Sequence, residues 1–155
     1  MAKNLSLYLD ACCLNRLFDD WSQARIRLEG EAVLEILGRC QLTDWQLVSS
    51  FALTAEIRRT PSRDRQEQVL AALEMAAFTI ESTPAIIDRA QALVRQGIKN
   101  FDALHLACAE HGQISVFLTT DDRLLRRAKT LMLNVLVENP VTWLLQSRSF
   151  NGEKP

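Results

Sequence analysis

The chain has 155 residues, 48% of them hydrophobic and 24% charged, with a formal net charge of −1. This fits one domain with a real core and excludes a protein coated in basic surface, although a local basic patch beside an acidic pocket stays open. No apolar run approaches the ~18 residues of a membrane span, and Asp10 cuts the first apolar stretch too early for a signal peptide, so a cytoplasmic location with no membrane partner is expected.

In chain order, Leu5–Leu9 (LSLYL) reads as a short strand covered on both faces, stopping at Asp10. A short helical turn follows, and then an amphipathic helix from Arg25 to about Arg39. Ala32, Val33, Ile36, Leu37 and Cys40 form its apolar stripe, and Glu29, Glu31 and Glu35 its solvated face, with Gly38 near its end. Trp45–Ser50 is a second strand leading at once into a helix over Phe51–Arg59. Beyond Pro61, Ser62 is placed to cap a helix reaching about Ala77. Phe78–Glu81 is a third strand, and Thr83-Pro84 is a helix start that Gly97 closes. Asn100 opens a helix ending at Gly112, Ser115–Thr119 is a fourth strand, and Arg123–Lys129 a short basic helix. Asn134–Val137 reads as a fifth strand and Val141–Gln146 as a last helix. Residues 1–146 are thus expected to form one domain and 147–155 a polar tail. Strands alternating with helices predict an α/β fold with a parallel sheet flanked by helices.

Ligands of open α/β sheets collect beyond the carboxyl ends of the strands. Asp10 follows the first strand and Asp121 the fourth. Glu56 and Asp102 lie in the early turns of crossover helices, whose amino ends sit on the same side. Each acid has an ordinary alternative as a cap, a helix-dipole partner or a surface residue. Their meeting depends on strand order, which spacing does not give. An all-oxygen cluster would suit Mg²⁺ or Mn²⁺ and phosphodiester hydrolysis. His105 and His111 read as packing or surface residues. The cysteines Cys12, Cys13, Cys40 and Cys108 lack CxxC spacing and read as buried, reduced thiols. No phosphate-loop, GxGxxG or GxSxG motif is present.

At these residues the chain resembles the PIN-domain family of metal-dependent ribonucleases, which includes the toxins of VapBC-type toxin–antitoxin pairs. YLDACCLN matches the first motif with Asp10 and Asn15, LTAEI the central acid with Glu56, FDALHLA the helix-opening acid with Asp102, and LTTDD the last motif with Thr119 and Asp121. The resemblance spans about Leu5 to Trp143. It implies a three-layer sandwich with a central parallel sheet of about five strands in the order 3-2-1-4-5, which makes Asp10 and Asp121 neighbours. It also implies Asp10, Glu56, Asp102 and Asp121 as catalytic residues. Asp10, Asp102 and Asp121 would be metal ligands for Mg²⁺ or Mn²⁺, the T-x-D form favouring Asp121 over Asp122. Asn15, Arg16 and Thr119 are expected to bind substrate, and Arg16 with Arg58 and Arg59 to hold RNA phosphates at the rim. The expected partners are RNA, a small antitoxin and a second copy of the chain in a homodimer. Two other readings compete. One is a degenerate PIN domain serving as an RNA-binding or assembly module. The other is a haloacid-dehalogenase-like phosphohydrolase with Asp10 as nucleophile, against which Cys12 stands where that motif wants a second Asp.

Overall fold

The computed structural model describes residues 5–42 and 44–150, the last three by backbone alone. Five strands, β1 (Ser6–Leu9), β2 (Gln46–Ser50), β3 (Phe78–Ile80), β4 (Val116–Leu118) and β5 (Leu136–Glu138), form one sheet in the order β3-β2-β1-β4-β5. Every neighbouring pair is parallel. β1 is the middle strand, with Tyr8 in register with Val48 on one side and Phe117 on the other. Consecutive strand residues point to opposite faces, and Leu7, Tyr8 and Leu9 are all fully buried, so both faces of the sheet are covered.

The cover is made by α1 (Ala11–Asn15), α2 (Ala24–Leu42), α3 (Phe51–Ile57), α4 (Arg63–Ala72), α5 (Pro84–Arg95), α6 (Asn100–His111), α7 (Asp122–Ala128) and α8 (Pro140–Phe150). Several of their starts are fixed by short polar side chains that accept an otherwise unpaired backbone N–H. Ser50 accepts from Leu53, Ser62 from Arg65, and Thr83 from Ile86 ahead of Pro84. Gly97 follows α5 at φ +98°, a left-handed conformation that favours glycine, and turns the chain toward α6. Among the described residues, no helix is long and apolar enough to cross a membrane.

Several elements differ from the sequence reading. α2 runs past Gly38 to Leu42, because one glycine costs a helix only ~1 kcal/mol when tertiary packing supports it. α4 stops at Ala72 and a 3₁₀ turn over Leu73–Met75 completes the passage to β3. β5 begins at Leu136 rather than Asn134, and α8 continues through Phe150, so the expected tail starts as helix while residues 151–155 lie outside those described.

The largest correction is Glu29, expected in solvent but only 2% exposed. It stands four residues before Val33 and seven before Ile36, on the buried stripe of α2. Its carboxylate accepts from Arg16 Nε at 3.0 Å, Arg25 Nε at 3.2 Å and Asn139 Nδ2 at 2.8 Å. Two cations and an amide thus replace the lost water.

Candidate active site

Asp10 leaves the end of β1 and is bound back to the sheet by its own N–H, which donates to the Leu118 carbonyl at 3.1 Å. Its side chain caps α1: Oδ1 accepts from Cys13 N at 3.0 Å and from the Cys12 thiol at 2.7 Å. Asp121, one strand away, caps α7, with Oδ1 accepting from the N–H groups of Arg123 at 2.9 Å and Leu124 at 3.3 Å. No hydrogen bond reaches its Oδ2 among the described residues. Both acids are therefore caps, and both stand where two neighbouring parallel strands end. Thr119 is fully buried, and its Oγ1 accepts from Asp121 N at 3.1 Å, fixing the turn that presents that acid.

Asp102 sits in the first turn of α6, and its side chain makes no hydrogen bond or ion pair among the described residues. Burial pushes its carboxyl up to about 6, and the charges of Asp10, Asp121 and Glu56 add to that rise, against an opposing effect of His105. Asp10 is 4% exposed, and burial, followed by the neighbouring Cys12, raises its carboxyl well above the usual range. The Cys12 thiol is drawn down to about 6, first by its hydrogen bond with Cys13. Cys12, part of the Asp10 environment, and Cys40 are only half-buried, whereas Cys13 and Cys108 are buried as expected; none of the four is in a disulfide.

Asp102 and Asp121 line an open cleft of about 480 Å³ together with Lys99, Arg123, Arg126 and Arg127. None of these four cations makes an ion pair or side-chain hydrogen bond among the described residues, and Arg127 lies over Gly97, where a Cβ would stand 3.3 Å from its guanidinium carbon. The cations expected at the rim are placed differently. Arg16 is bound to Glu29 and, through Nη1, to Asp19 at 2.8 Å. Arg59 lies over the Phe101 ring at 5.5 Å, and Arg58 is exposed after α3. Asn15 donates to Ala11 O at 2.9 Å and accepts from Arg65 at 3.0 Å. Asp122 is held by Arg25 through two 2.8 Å bonds, which leaves Asp121 as the member of that pair lining the cleft.

Among the described residues, the only trio of metal-ligating atoms within 4.8 Å of one another is Asp10, Cys12 and Cys13. Helix capping accounts for it, since the cap brings the first turn's thiols to the carboxylate. The four expected acids share electrostatic contact without closing to that distance. Asp102, raised by the charges of Asp10, Asp121 and Glu56, sits among carboxylates to which no arginine or lysine is bound among the described residues, and such an oxygen set fits a hard divalent cation.

Sequence reasoning misses one member of the site's surroundings, His105. It is fully buried, with Nε2 2.8 Å from Glu56 Oε1 and Nδ1 2.6 Å from the Tyr8 hydroxyl. Its place three residues after Asp102, on the same helical face, is the available signal.

A family model described as PIN domain matches residues 7–130 of the chain. No curated protein matches it. Among solved structures, the chain is similar to VapBC2 from Rickettsia felis bound to a DNA fragment from its promoter, at 15% identity and a TM-score of 0.55, covering 87% of this chain and 98% of the other. It is also similar to VapBC-1 from nontypeable Haemophilus influenzae, at 17% identity and a TM-score of 0.57 over 88% and 98% of the two chains. PAE2754 from Pyrobaculum aerophilum aligns at 17% identity and a TM-score of 0.55, over 96% of this chain and 92% of its own. At these identities the likeness is one of fold: a five-stranded parallel sheet between helices, in the order expected from the sequence.

Proposed function

The chain belongs to the PIN-domain family, and from that premise we propose that it is a metal-dependent endoribonuclease, the toxin of a toxin–antitoxin pair. One observation carries the reading: a cleft in which Asp102 and Asp121 stand beside four cations that close no ion pair among the described residues, with Asp10 and Glu56 in electrostatic contact with Asp102. Asp10, Asp102 and Asp121 would hold one Mg²⁺ or Mn²⁺, with Glu56 supporting it directly or through water. When bound, such an ion neutralises charge developing on a phosphate and makes a water molecule more acidic.

The chain's own groups do the rest. The caps on α1 and α7 hold Asp10 and Asp121 in place before substrate arrives, so little reorganisation is needed at the moment of reaction. Lys99, Arg123, Arg126 and Arg127 bind phosphates flanking the scissile bond. Thr119 and Asn15 support the site by fixing the backbone near Asp121 and the loop after α1. Arg16 serves Glu29 and Asp19 rather than a phosphate. In the hydrolysis the water oxygen bonds to phosphorus, the ester P–O bond breaks, and the water proton ends on the leaving oxygen.

Two of the structural neighbours are VapBC assemblies, which supports a small antitoxin as partner. A homodimer and a cytoplasmic site of action belong to the same reading. The test is RNA cleavage by purified protein. Cleavage should require Mg²⁺ or Mn²⁺, stop in EDTA, and be lost in folded Asp10→Asn and Asp102→Asn. Undiminished cleavage in both folded variants, or in EDTA, would overturn the proposal. Binding of RNA without cleavage would favour the module that only binds.

A further inference from the structure

Beneath Glu56 runs a line of buried polar groups for which the proposed reaction has no use. Ser50, Tyr8 and His105 are each 0% exposed, yet they form an unbroken chain. Ser50 Oγ lies 2.6 Å from the Tyr8 hydroxyl, which lies 2.6 Å from His105 Nδ1, and His105 Nε2 lies 2.8 Å from Glu56 Oε1. A hydrophobic core of this size could fill the same space with Phe and Leu, and three consecutive buried polar side chains are costly unless every proton is placed. Here each is placed. Ser50 Oγ accepts the Leu53 N–H at 3.1 Å as the cap of α3 and is free to donate its own proton to Tyr8. The carboxylate end sets the direction: ionised Glu56 only accepts, so a neutral imidazole facing it carries its proton on Nε2 and accepts at Nδ1 from the Tyr8 hydroxyl. The order has a single direction, from the cap of α3 to the acid in that helix's second turn.

The rings hold this geometry mechanically. Tyr8 stacks on Phe117 at 5.2 Å, and Phe101 stacks on His105 at 6.3 Å, with the Arg59 guanidinium 5.5 Å from the Phe101 ring. Among the described residues Glu56 Oε1 is occupied by His105, while Oε2 has no hydrogen-bond partner. α6 therefore delivers two things to the site: Asp102 itself, and three residues later the group that fixes Glu56 on α3.

We infer that His105 is a positioning residue that fixes one oxygen of Glu56 and leaves the other unengaged within electrostatic reach of Asp102, with Tyr8 and Ser50 setting the imidazole's orientation and tautomer. The inference rests on the reading of the cleft as a divalent-cation site. It predicts the behaviour expected of a group that orients a metal's supporting carboxylate, where loss typically costs ~10- to 100-fold in metal affinity.

The experiment is Mn²⁺ titration calorimetry on the full chain, with folding checked by circular dichroism. His105→Leu should lose ~10- to 100-fold in affinity. His105→Gln, whose amide can still donate at the Nε2 position, should recover most of it. Tyr8→Phe, which keeps the stack on Phe117 and removes only the hydroxyl, should show a smaller loss. In Glu56→Gln, adding His105→Leu should change the affinity no further, because the histidine acts through that acid. In the RNA assay His105→Leu should lower kcat and leave KM unchanged. Wild-type affinity in folded His105→Leu, no rescue by Gln over Leu, or full additivity with Glu56→Gln would overturn the inference. A second readout needs no metal. The chain has two histidines, and His111 is exposed, so ¹⁵N-histidine NMR at pH 8 separates them. His105 should carry its proton on Nε2 in wild type and become a mixture of tautomers in Tyr8→Phe. A proton on Nδ1 in wild type would refute the link to Glu56. Failure of wild type to bind Mn²⁺ would instead refute the cation site, and the imidazole signals would still decide the His105–Glu56 contact.

Discussion

Two groups of carboxylates, treated in opposite ways, divide this molecule. Glu29 is buried and the chain supplies its counter-charges: Arg16 and Arg25 at 3.0 and 3.2 Å, with Asn139 completing its hydrogen bonds. Asp10, Asp102 and Asp121 are drawn together at the ends of β1 and β4 and the start of α6, and no arginine or lysine pairs with any of them among the described residues. Instead they are given backbone and thiol donors, or in the case of Asp102 nothing, while four cations that close no ion pair among the described residues line a cleft with Asp102 and Asp121. A sequence with 18 Lys and Arg has cations to spare. Under the proposed function, cations are committed to Glu29, which only has to be buried, and withheld from the acids that would take a cation from outside.

The contrast can be broken first at Glu29. Glu29→Ala removes a buried charge whose partners remain, and it should lower unfolding free energy by about 3 kcal/mol in urea titrations. Asp10→Asn should not, since Asn also caps helices well and the change relieves repulsion between acids. Equal destabilisation by the two substitutions would remove the distinction.

A smaller effect follows from Asp102. Its carboxyl is raised from 3.8 to about 6 in the folded chain. Between those values the folded protein binds more protons than the unfolded one, so metal-free stability falls as pH rises from about 4 to about 6. Two units would correspond to ~3 kcal/mol, and partial exposure reduces the expected loss to about 1–2 kcal/mol. Asp102→Asn should lessen the decline, Asp10 retaining its share, and saturating Mn²⁺ should reverse it, because the ion competes with the proton and binds the folded state alone. A stability that rises through this window without metal would contradict the assignment.

The smallest effects lie on the cation side of the cleft. Lys99→Ala and Arg127→Ala should each weaken RNA binding and reduce its salt dependence by about one counterion for each phosphate left without its cation. The same change at Arg16 should leave the salt slope unaltered, since that guanidinium is already engaged.

The sequence makes the strand–helix alternation and the four acids legible because each rests on local signals: apolar runs of four or five residues, caps, and Gly97 or Gly112 at helix ends. Strand order comes from family resemblance alone, since nothing local dictates that β1 pairs with both β2 and β4. Glu29 is easily misread because three glutamates at close spacing suggest one solvated face, although its distance from Val33 and Ile36 marks the buried one. Arg16 looks available beside Asp10 for the same reason: its partner Glu29 lies 13 residues away and is itself misplaced by that reading. His105 is the harder case. Its contacts come from Tyr8 and Glu56, 97 and 49 residues distant, and a histidine within a helix buried nearly all round carries no local sign of a polar partner.

The central claim, that the open carboxylates of the cleft take a divalent cation, is tested most directly by Mn²⁺ calorimetry of metal-free wild type beside folded Asp10→Asn. Saturable binding of one Mn²⁺ per chain in wild type, lost in the variant, is the predicted result. Equal affinity in the two proteins, or no binding by wild type, would contradict it.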